Sequence, residues 1–235
     1  MNKLNKILAT LGAIVMLTVT AANSMEFKVG VSANTMGAYA NVEEKLKDSG
    51  SITNEEAVLA TAFGSGFIEI GSEDMMGLAL GVSYAPEVAE LNKETRAIQN
   101  CRDDVEACTS YASGDTGSQI IDGKIVDLVS VYLSLPVGEG AFVKAGYIQA
   151  TLNTNENLAT GSKYENIDMT GMMLAGGYEA DLGSSGMFWR AEGQYQMWDD
   201  IRADGSESGG TAGSKNKISA EIGAVQGALS VGMRF

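Results

Sequence analysis

The segment Leu229-Ser-Val-Gly-Met-Arg-Phe235 closes the chain, and every second side chain in it is apolar. Successive side chains of a β-strand point to opposite faces, so one face of this strand is wholly apolar. The residues of that face are Leu229, Val231, Met233 and Phe235. Such a face needs another surface to cover it, and no polar tail follows it. We expect the hydrocarbon of a bilayer to be that cover, which makes the segment a candidate membrane strand.

Seven further segments alternate in the same way, so the sequence predicts eight strands. Their approximate ranges are 26–40, 56–70, 75–85, 124–135, 141–153, 166–180, 187–198 and 215–235. Most have about 11 residues or more, which fits a tilted membrane strand of about 9–11 residues better than a globular strand of about 5–6. Pro86 and Pro136 both follow the end of a predicted strand, where a residue without an N–H does least harm.

The connections between these strands fall into two length classes. The short ones are at 71–74, 136–140 and 181–186, and the long ones are at 41–54, 86–123, 154–165 and 199–214. With an even number of antiparallel strands, all short turns lie at one end of the sheet and all long loops at the other. This asymmetry is typical of bacterial membrane barrels.

The N-terminus predicts export from the cytoplasm. Lys3 and Lys6 flank the start of an apolar run over 7–22, and the small residues of Ala22-Asn-Ser24 suit a cleavage site. We interpret residues 1–24 as a cleaved signal peptide and residues 25–235 as one β domain. Cleavage after Ala22 and an uncleaved anchor are the alternatives. No later segment is apolar and long enough for a membrane helix, so a membrane-spanning domain has to use strands.

Strand seven gives the clearest indication of which face meets lipid. One face carries Trp189, Ala191, Gly193, Tyr195 and Met197, and the other Arg190, Glu192, Gln194 and Gln196. A soluble barrel that carries lipid would put its apolar face inside, whereas a membrane barrel has a polar interior. We favour the membrane arrangement. An interfacial aromatic girdle is then expected at Phe27, Tyr84, Trp189 and Phe235.

Two strands do not reveal their facing so clearly. In strand two, Ile68 and Ile70 compete with Phe63 and Phe67 on the other face. For strand five we favour Lys144 pointing inward, which also places the apolar Ile148 and Leu152 inside.

Charged residues of both signs fall on the predicted inner faces. They are Lys28, Lys144, Glu179, Arg190, Glu192 and Arg234. An eight-stranded barrel is just wide enough for side chains to fill its interior, so we expect these charges to form an ion-pair network that plugs the lumen. A gated path, in which Arg190 and Glu192 exchange partners, is the alternative.

The composition excludes several classes of function. A formal net charge of −14 argues against nucleic-acid binding, and the absence of His removes the commonest catalytic base and metal ligand. We therefore expect no catalytic residues, cofactor or metal. The acids of the 86–123 connection lack the spacing of a calcium loop. Cys101 and Cys108, in one polar stretch of an exported chain, are interpreted as a local disulfide.

In strand number, alternation and closing Leu-x-Val-x-Met-x-Phe pattern, residues 25–235 resemble the small eight-stranded outer-membrane barrels of Gram-negative bacteria, the OmpA/OmpX-like group of the broad porin family. The resemblance implies an all-β, eight-stranded, antiparallel, up-and-down transmembrane β-barrel in the cell outer membrane, monomeric and in contact with lipid and lipopolysaccharide. In that group the last strand is the signal for the barrel-assembly machinery. Its enzymes use His, so the resemblance implies no enzymatic activity here.

The function that we expect is a structural and surface-interaction role, with a lumen plugged by polar side chains and long acidic extracellular loops. The alternative is a narrow porin or channel for ions or small solutes, similar to OmpW-like barrels. A soluble exported lipid carrier is the third hypothesis, and it requires the opposite facing of the strands.

Overall fold

The computed structural model describes residues 25–45, 52–72, 76–97, 118–157, 165–204 and 217–235. Every regular element in these ranges is a β-strand. The strands are β1 (Met25–Lys45), β2 (Ile52–Ser72), β3 (Ala79–Ala97), β4 (Ser118–Pro136), β5 (Ala141–Asn157), β6 (Ile167–Asp181), β7 (Met187–Trp198), β8 (Ile201–Asp204) and β9 (Lys217–Arg234). The proposed signal peptide at 1–24 and the proposed disulfide between Cys101 and Cys108 lie outside the described residues.

The eight long strands form one closed sheet. Each pairs antiparallel with the next along the chain, and β9 pairs with both β7 and β1 to close the cylinder. At the seam, Phe235 N–H donates to the Phe27 carbonyl at 2.8 Å, and Phe27 N–H donates back at 3.1 Å. The eight-stranded, antiparallel, up-and-down barrel predicted from the sequence is confirmed.

The short β8 is an addition to the prediction. Among the described residues it pairs with β9 alone, from Ile201↔Ala220 to Asp204↔Lys217. Asp199 follows β7 and precedes β8. The Asp199 N–H donates to the Thr170 carbonyl at 2.8 Å, and the Asp199 carboxylate accepts from the Thr170 hydroxyl at 2.5 Å. These two bonds hold the chain against β6, and the strand resumes only afterwards.

The strands continue further than the alternation predicted. The long connection predicted at 86–123 is wrong at both ends, because β3 continues to Ala97 and β4 begins at Ser118. The loop predicted at 41–54 is likewise shortened, since β1 ends at Lys45 and β2 begins at Ile52. Beyond the lipid both faces of a strand meet water, so backbone pairing persists where the apolar–polar alternation has stopped.

Short turns join the strands at one end of the barrel, which we call the turn end, and the opposite end is the loop end. At the turn after β4, Val137 N–H donates to the Ala141 carbonyl at 2.9 Å. At the turn after β6, Leu182 N–H donates to the Met187 carbonyl at 2.8 Å, and Gly183 and Gly186 both have φ of +75°. Both turns lie at positions that the sequence predicted.

The large apolar side chains of the alternating strands point out of the cylinder. Val31 and Leu229 are 68% and 66% exposed, whereas Arg190 on the opposite face of the neighbouring β7 is 3% exposed. An apolar exterior around buried charges is the facing of a transmembrane barrel, and the facing required for a soluble lipid carrier is wrong.

The structure also fixes the two ambiguous strands. In β2, Ile68 is exposed while Phe67 and Glu69 are buried, so Phe67 and Glu69 face the lumen. In β5, Lys144 and Ile148 are both buried inside the barrel. Val143, which precedes Lys144, is exposed on the outer face. The inward orientation favoured for Lys144 is confirmed, together with its consequence that Ile148 faces inward.

Candidate functional site

The candidate site is the lumen at the turn end, where inward positions of six strands bring charged side chains together. Arg190 of β7 lies at its centre. Its Nη1 and Nη2 donate to Glu69 Oε1 and Oε2 at 2.7 and 2.6 Å, a bidentate pair. Its Nε and Nη2 also donate to Glu179 Oε2 at 3.0 and 2.5 Å. One guanidinium therefore satisfies two carboxylates in a site closed to solvent.

Lysine side chains extend this network on both sides. Lys144 Nζ donates to Glu192 Oε2 at 2.5 Å and lies 3.4 Å from Glu69 Oε1. Lys28 Nζ donates to Glu179 Oε1 at 2.7 Å. Glu69 therefore links the Lys144–Glu192 pair to the group around Glu179.

Arg234 completes the network at the open edge of the turn end. Its Nη2 donates to Glu179 Oε1 at 2.7 Å, its Nη1 donates to Asp181 Oδ1 at 2.9 Å, and it also pairs with Glu26. All six lumen charges named from the sequence thus belong to one connected set, which also includes Glu26, Glu69 and Asp181. We call these nine residues the charged plug.

Glu69 is the central residue that sequence reasoning missed. It lies between Ile68 and Ile70 in a strand with apolar residues on both faces, so alternation alone did not fix its direction. A signal was present, because an acid flanked by isoleucines within a membrane strand has to face the lumen. That reasoning would have fixed the facing of the whole strand.

Aromatic rings wall the charged plug. The Arg190 guanidinium carbon lies 5.0 Å from the ring centroids of both Phe67 and Phe142, and Lys144 Nζ lies 4.5 Å from that of Tyr132. Tyr132 also donates its hydroxyl to Glu69 Oε1 at 2.8 Å. These contacts combine cation–π attraction with exclusion of water.

One glycine makes room for the Tyr132 ring. A Cβ on Gly81 of β3 would overlap the ring and lie 2.8 Å from its hydroxyl oxygen. The bare backbone of β3 therefore lets the ring lie across the lumen wall, where its hydroxyl reaches Glu69.

A neutral polar layer lies on the loop side of the charged plug. Gln196 Nε2 donates to Gln226 Oε1 at 2.8 Å, Gln226 Nε2 donates to Asn34 Oδ1 at 3.0 Å, and Asn34 Nδ2 donates to Ser65 Oγ at 3.0 Å. A cavity of about 40 Å³ remains between this layer and the charged plug. Such a volume holds one or two waters.

Towards the loop end the interior becomes apolar. Buried side chains from β1, β4, β5 and β6 pack there against one another: Met36, Leu128, Ile148, Met169 and Met173. The lumen therefore has three successive fillings, which are ion pairs, amides and hydrocarbon.

The residues named as an aromatic girdle all lie on the outer surface. Phe27 and Phe235 are neighbours at the turn end, with ring centroids 6.1 Å apart, and Trp189 contacts Tyr178 at 6.0 Å. Tyr84 lies on the outer surface of β3, away from these four, and donates its hydroxyl to Asp127 Oδ1 at 2.6 Å.

Within the described ranges, no group of Cys, Asp and Glu side chains is arranged to hold a metal ion. Two acids of the connection predicted at 86–123 have described side chains, and both are exposed on β3. Glu90 pairs with Lys124, and Glu87 lies beside a bulge. The other acids of that connection have no described side chains.

Neither a known protein family nor a curated protein matches the sequence. Among solved structures, OprG from Pseudomonas aeruginosa has a TM-score of 0.51 at 10% identity, over 90% of this chain and 96% of OprG. AlkL, solved in DMPC bilayers, gives 0.47 at 12% identity, over 91% of each chain. Ail of Yersinia pestis, in complex with the heparin analogue sucrose octasulfate, has a TM-score of 0.36 at 13% identity, over 88% of this chain and 99% of Ail. The described residues thus share with OprG the fold of the eight-stranded outer-membrane β-barrels.

Proposed function

We propose that this protein resides in the outer membrane of a Gram-negative bacterium as a closed barrel with a structural and surface-interaction role and no enzymatic activity. The observation that carries the proposal is the bidentate Arg190–Glu69 pair, which is buried at the turn end and also bound to Glu179. In this orientation the turn end faces the periplasm, and the loop end extends outside the cell.

The gated alternative requires Arg190 to exchange partners. Arg190 donates to Glu69 and Glu179 together, so a move towards Glu192 would leave the buried Glu69 and the half-buried Glu179 without their guanidinium. Breaking a buried pair by removing one partner costs about 3–5 kcal/mol, and this move weakens two pairs. The packed apolar filling beyond the amide layer supports the same conclusion, because ions avoid such a medium.

We expect the purified protein to give no stable single-channel conductance in planar lipid bilayers, because the charged plug and the apolar filling leave no continuous water path. The double variant Arg190→Ala/Glu69→Ala removes the centre of the charged plug and should raise the frequency of opening events. Glu139→Gln, on an exposed turn, is the matched control. A stable wild-type conductance that Arg190→Ala or Glu192→Ala alters would instead support a narrow channel for ions or small solutes.

The proposed location has its own test. We expect the processed chain to fractionate with outer membranes and to migrate faster on a detergent gel before boiling than after it, because a closed sheet resists detergent at low temperature. Recovery as a detergent-free monomer in periplasmic extract would contradict the proposal.

The last strand is proposed to present the chain to the barrel-assembly machinery, and the outer surface to contact lipid and lipopolysaccharide. Phe235 is exposed on the outer surface and pairs with Phe27 only in the closed barrel. Before closure its strand therefore has a free edge that an assembly factor can bind.

A further inference from the structure

The barrel wall splits between β2 and β3 towards the loop end. Their pairing runs from Gly71↔Ala79 to Gly66↔Tyr84 and then stops. Beyond that point β2 continues on β1 to Ile52, and β3 continues on β4 to Ala97. The two strands therefore leave each other while both keep their other neighbour.

Irregular backbone in β3 and β4 accompanies the split. Pro86, which has no N–H, lies two residues after Tyr84, the last residue of β3 that pairs with β2, and a register shift follows at Glu87/Ala89. In β4 a register shift at Val126/Val129 contains Asp127, whose φ is +55°. Bulges bend a strand and increase its twist, which accounts for the end of the β2–β3 ladder at Tyr84. Across the split, the Thr61 hydroxyl still donates to the Val88 carbonyl at 2.7 Å.

The upper part of β2 is consequently an edge strand. Among the described residues, β1 is the only strand that pairs with residues 52–65 of β2. Every described side chain from Asn54 to Val58 is exposed on both faces of the strand, and Val58 is 86% exposed. An edge of this kind presents a row of unpaired N–H and C=O groups, which is a template for another strand.

The surroundings of this edge are acidic. Glu55 and Glu56 lie on this stretch of β2 itself, and on its β1 side a hollow of about 1,050 Å³ lies between the upper parts of β1, β2, β8 and β9. Six carboxylates line it, against three basic side chains. The carboxylates are Glu43, Glu55, Glu56, Asp200, Asp204 and Glu221. The potential at the edge therefore attracts cations, in agreement with the net charge of −14 of the whole chain.

We propose that residues 52–58 of β2 dock an extended cationic peptide segment of a partner, which adds to the sheet as a further strand. Its backbone pairs with the free edge, and its Lys or Arg side chains contact the acids around Glu55 and Glu56. A small apolar molecule suits the site less well, because it would leave the edge N–H and C=O groups unpaired beside those acids. The charged plug contributes nothing to this surface, so the inference goes beyond the proposed function.

The test uses the full chain in lipid nanodiscs and a fluorescent peptide of alternating Lys and Thr. We expect saturable binding by fluorescence anisotropy, with increased protection of the amides of residues 52–58 from hydrogen exchange. A second peptide, N-methylated at alternate residues, keeps the charge but cannot pair along one edge. It should bind at least about tenfold more weakly, because an interrupted strand loses several main-chain hydrogen bonds.

Variants of the protein test the charge. Glu55→Gln/Glu56→Gln should lower the affinity for the Lys–Thr peptide by about tenfold, while Glu139→Gln at the turn end should leave this affinity unchanged. Equal affinity for the N-methylated peptide, unchanged affinity of the double variant, or the absence of amide protection would each overturn the inference. Protection of the same amides by uncharged alkyl compounds without peptide would also contradict it, in favour of an apolar occupant.

Discussion

Glu69→Ala is expected to destabilise the folded barrel by about 3–5 kcal/mol, because it removes one partner from a buried pair. Glu69 is 2% exposed and accepts two hydrogen bonds from Arg190 and one from Tyr132. It also lies 3.4 Å from Lys144 Nζ. Its loss leaves two cations sharing the remaining carboxylates in a medium where an unpaired charge is costly.

The measurement is reversible urea unfolding of the protein folded into lipid vesicles, followed by the fluorescence of Trp189 and Trp198. Glu139→Ala removes the same group from an exposed turn and should change the free energy of unfolding little.

A double-variant cycle identifies the cause. Arg190→Leu and Glu69→Leu should each be strongly destabilising, and the combined variant should cost less than the sum, because no charge is then left without its partner. If Glu69→Ala costs no more than Glu139→Ala, or if the two leucine substitutions are additive, the pair does not hold the lumen closed.

Side-chain alternation predicted the parts of the fold in which the two faces of a strand meet different media. In β7, Arg190 and Glu192 alternate with Trp189 and Ala191, and the strand has the predicted facing. The six lumen charges could be named for the same reason, since each lies on the less apolar face of its strand. Their partners could not be named, because pairing depends on how far neighbouring strands are shifted along one another.

Side-chain alternation could not predict which face of β2 points into the lumen, because the inward face of this strand also carries large apolar residues. Phe63 and Phe67 point into the lumen, where Phe67 packs 5.0 Å from the Arg190 guanidinium. Rings that wall a buried charge look, in the sequence, like residues that face lipid. Glu69 is the only charged residue between positions 57 and 70, and a single charge makes no periodic pattern.

Backbone irregularities were the other feature that the sequence did not reveal. Pro86 was interpreted as the end of a strand, but it ends only the pairing with β2, and β3 continues on β4 to Ala97. A residue without an N–H is tolerated wherever that side of the strand has no neighbour. The sequence therefore marked the position of the split without indicating which of the two ladders stops there.

Val231→Arg is expected to cost folding free energy, about 2–4 kcal/mol if this position lies near the bilayer midplane and less if it lies at the interfacial level of Trp189, because lipid-facing arginine is most unfavourable at the midplane. Val231 is exposed on the outer surface and pairs with Val31 and Trp189 on its two neighbouring strands. Gln194→Arg adds the same charge on the opposite side of the wall, beside the small polar cavity, and should cost much less.

Urea unfolding in vesicles measures both variants under the same conditions, and Val231→Ala separates lost packing from added charge. A high cost at position 231 with a low cost at 194 follows only if hydrocarbon surrounds the cylinder and polar groups fill it. The reverse order would mean that water covers Val231, Val31 and Leu229, and a barrel with such an exterior would not reside in a membrane. Because both substitutions add one positive charge to the same strand pair, global electrostatics cannot produce the difference.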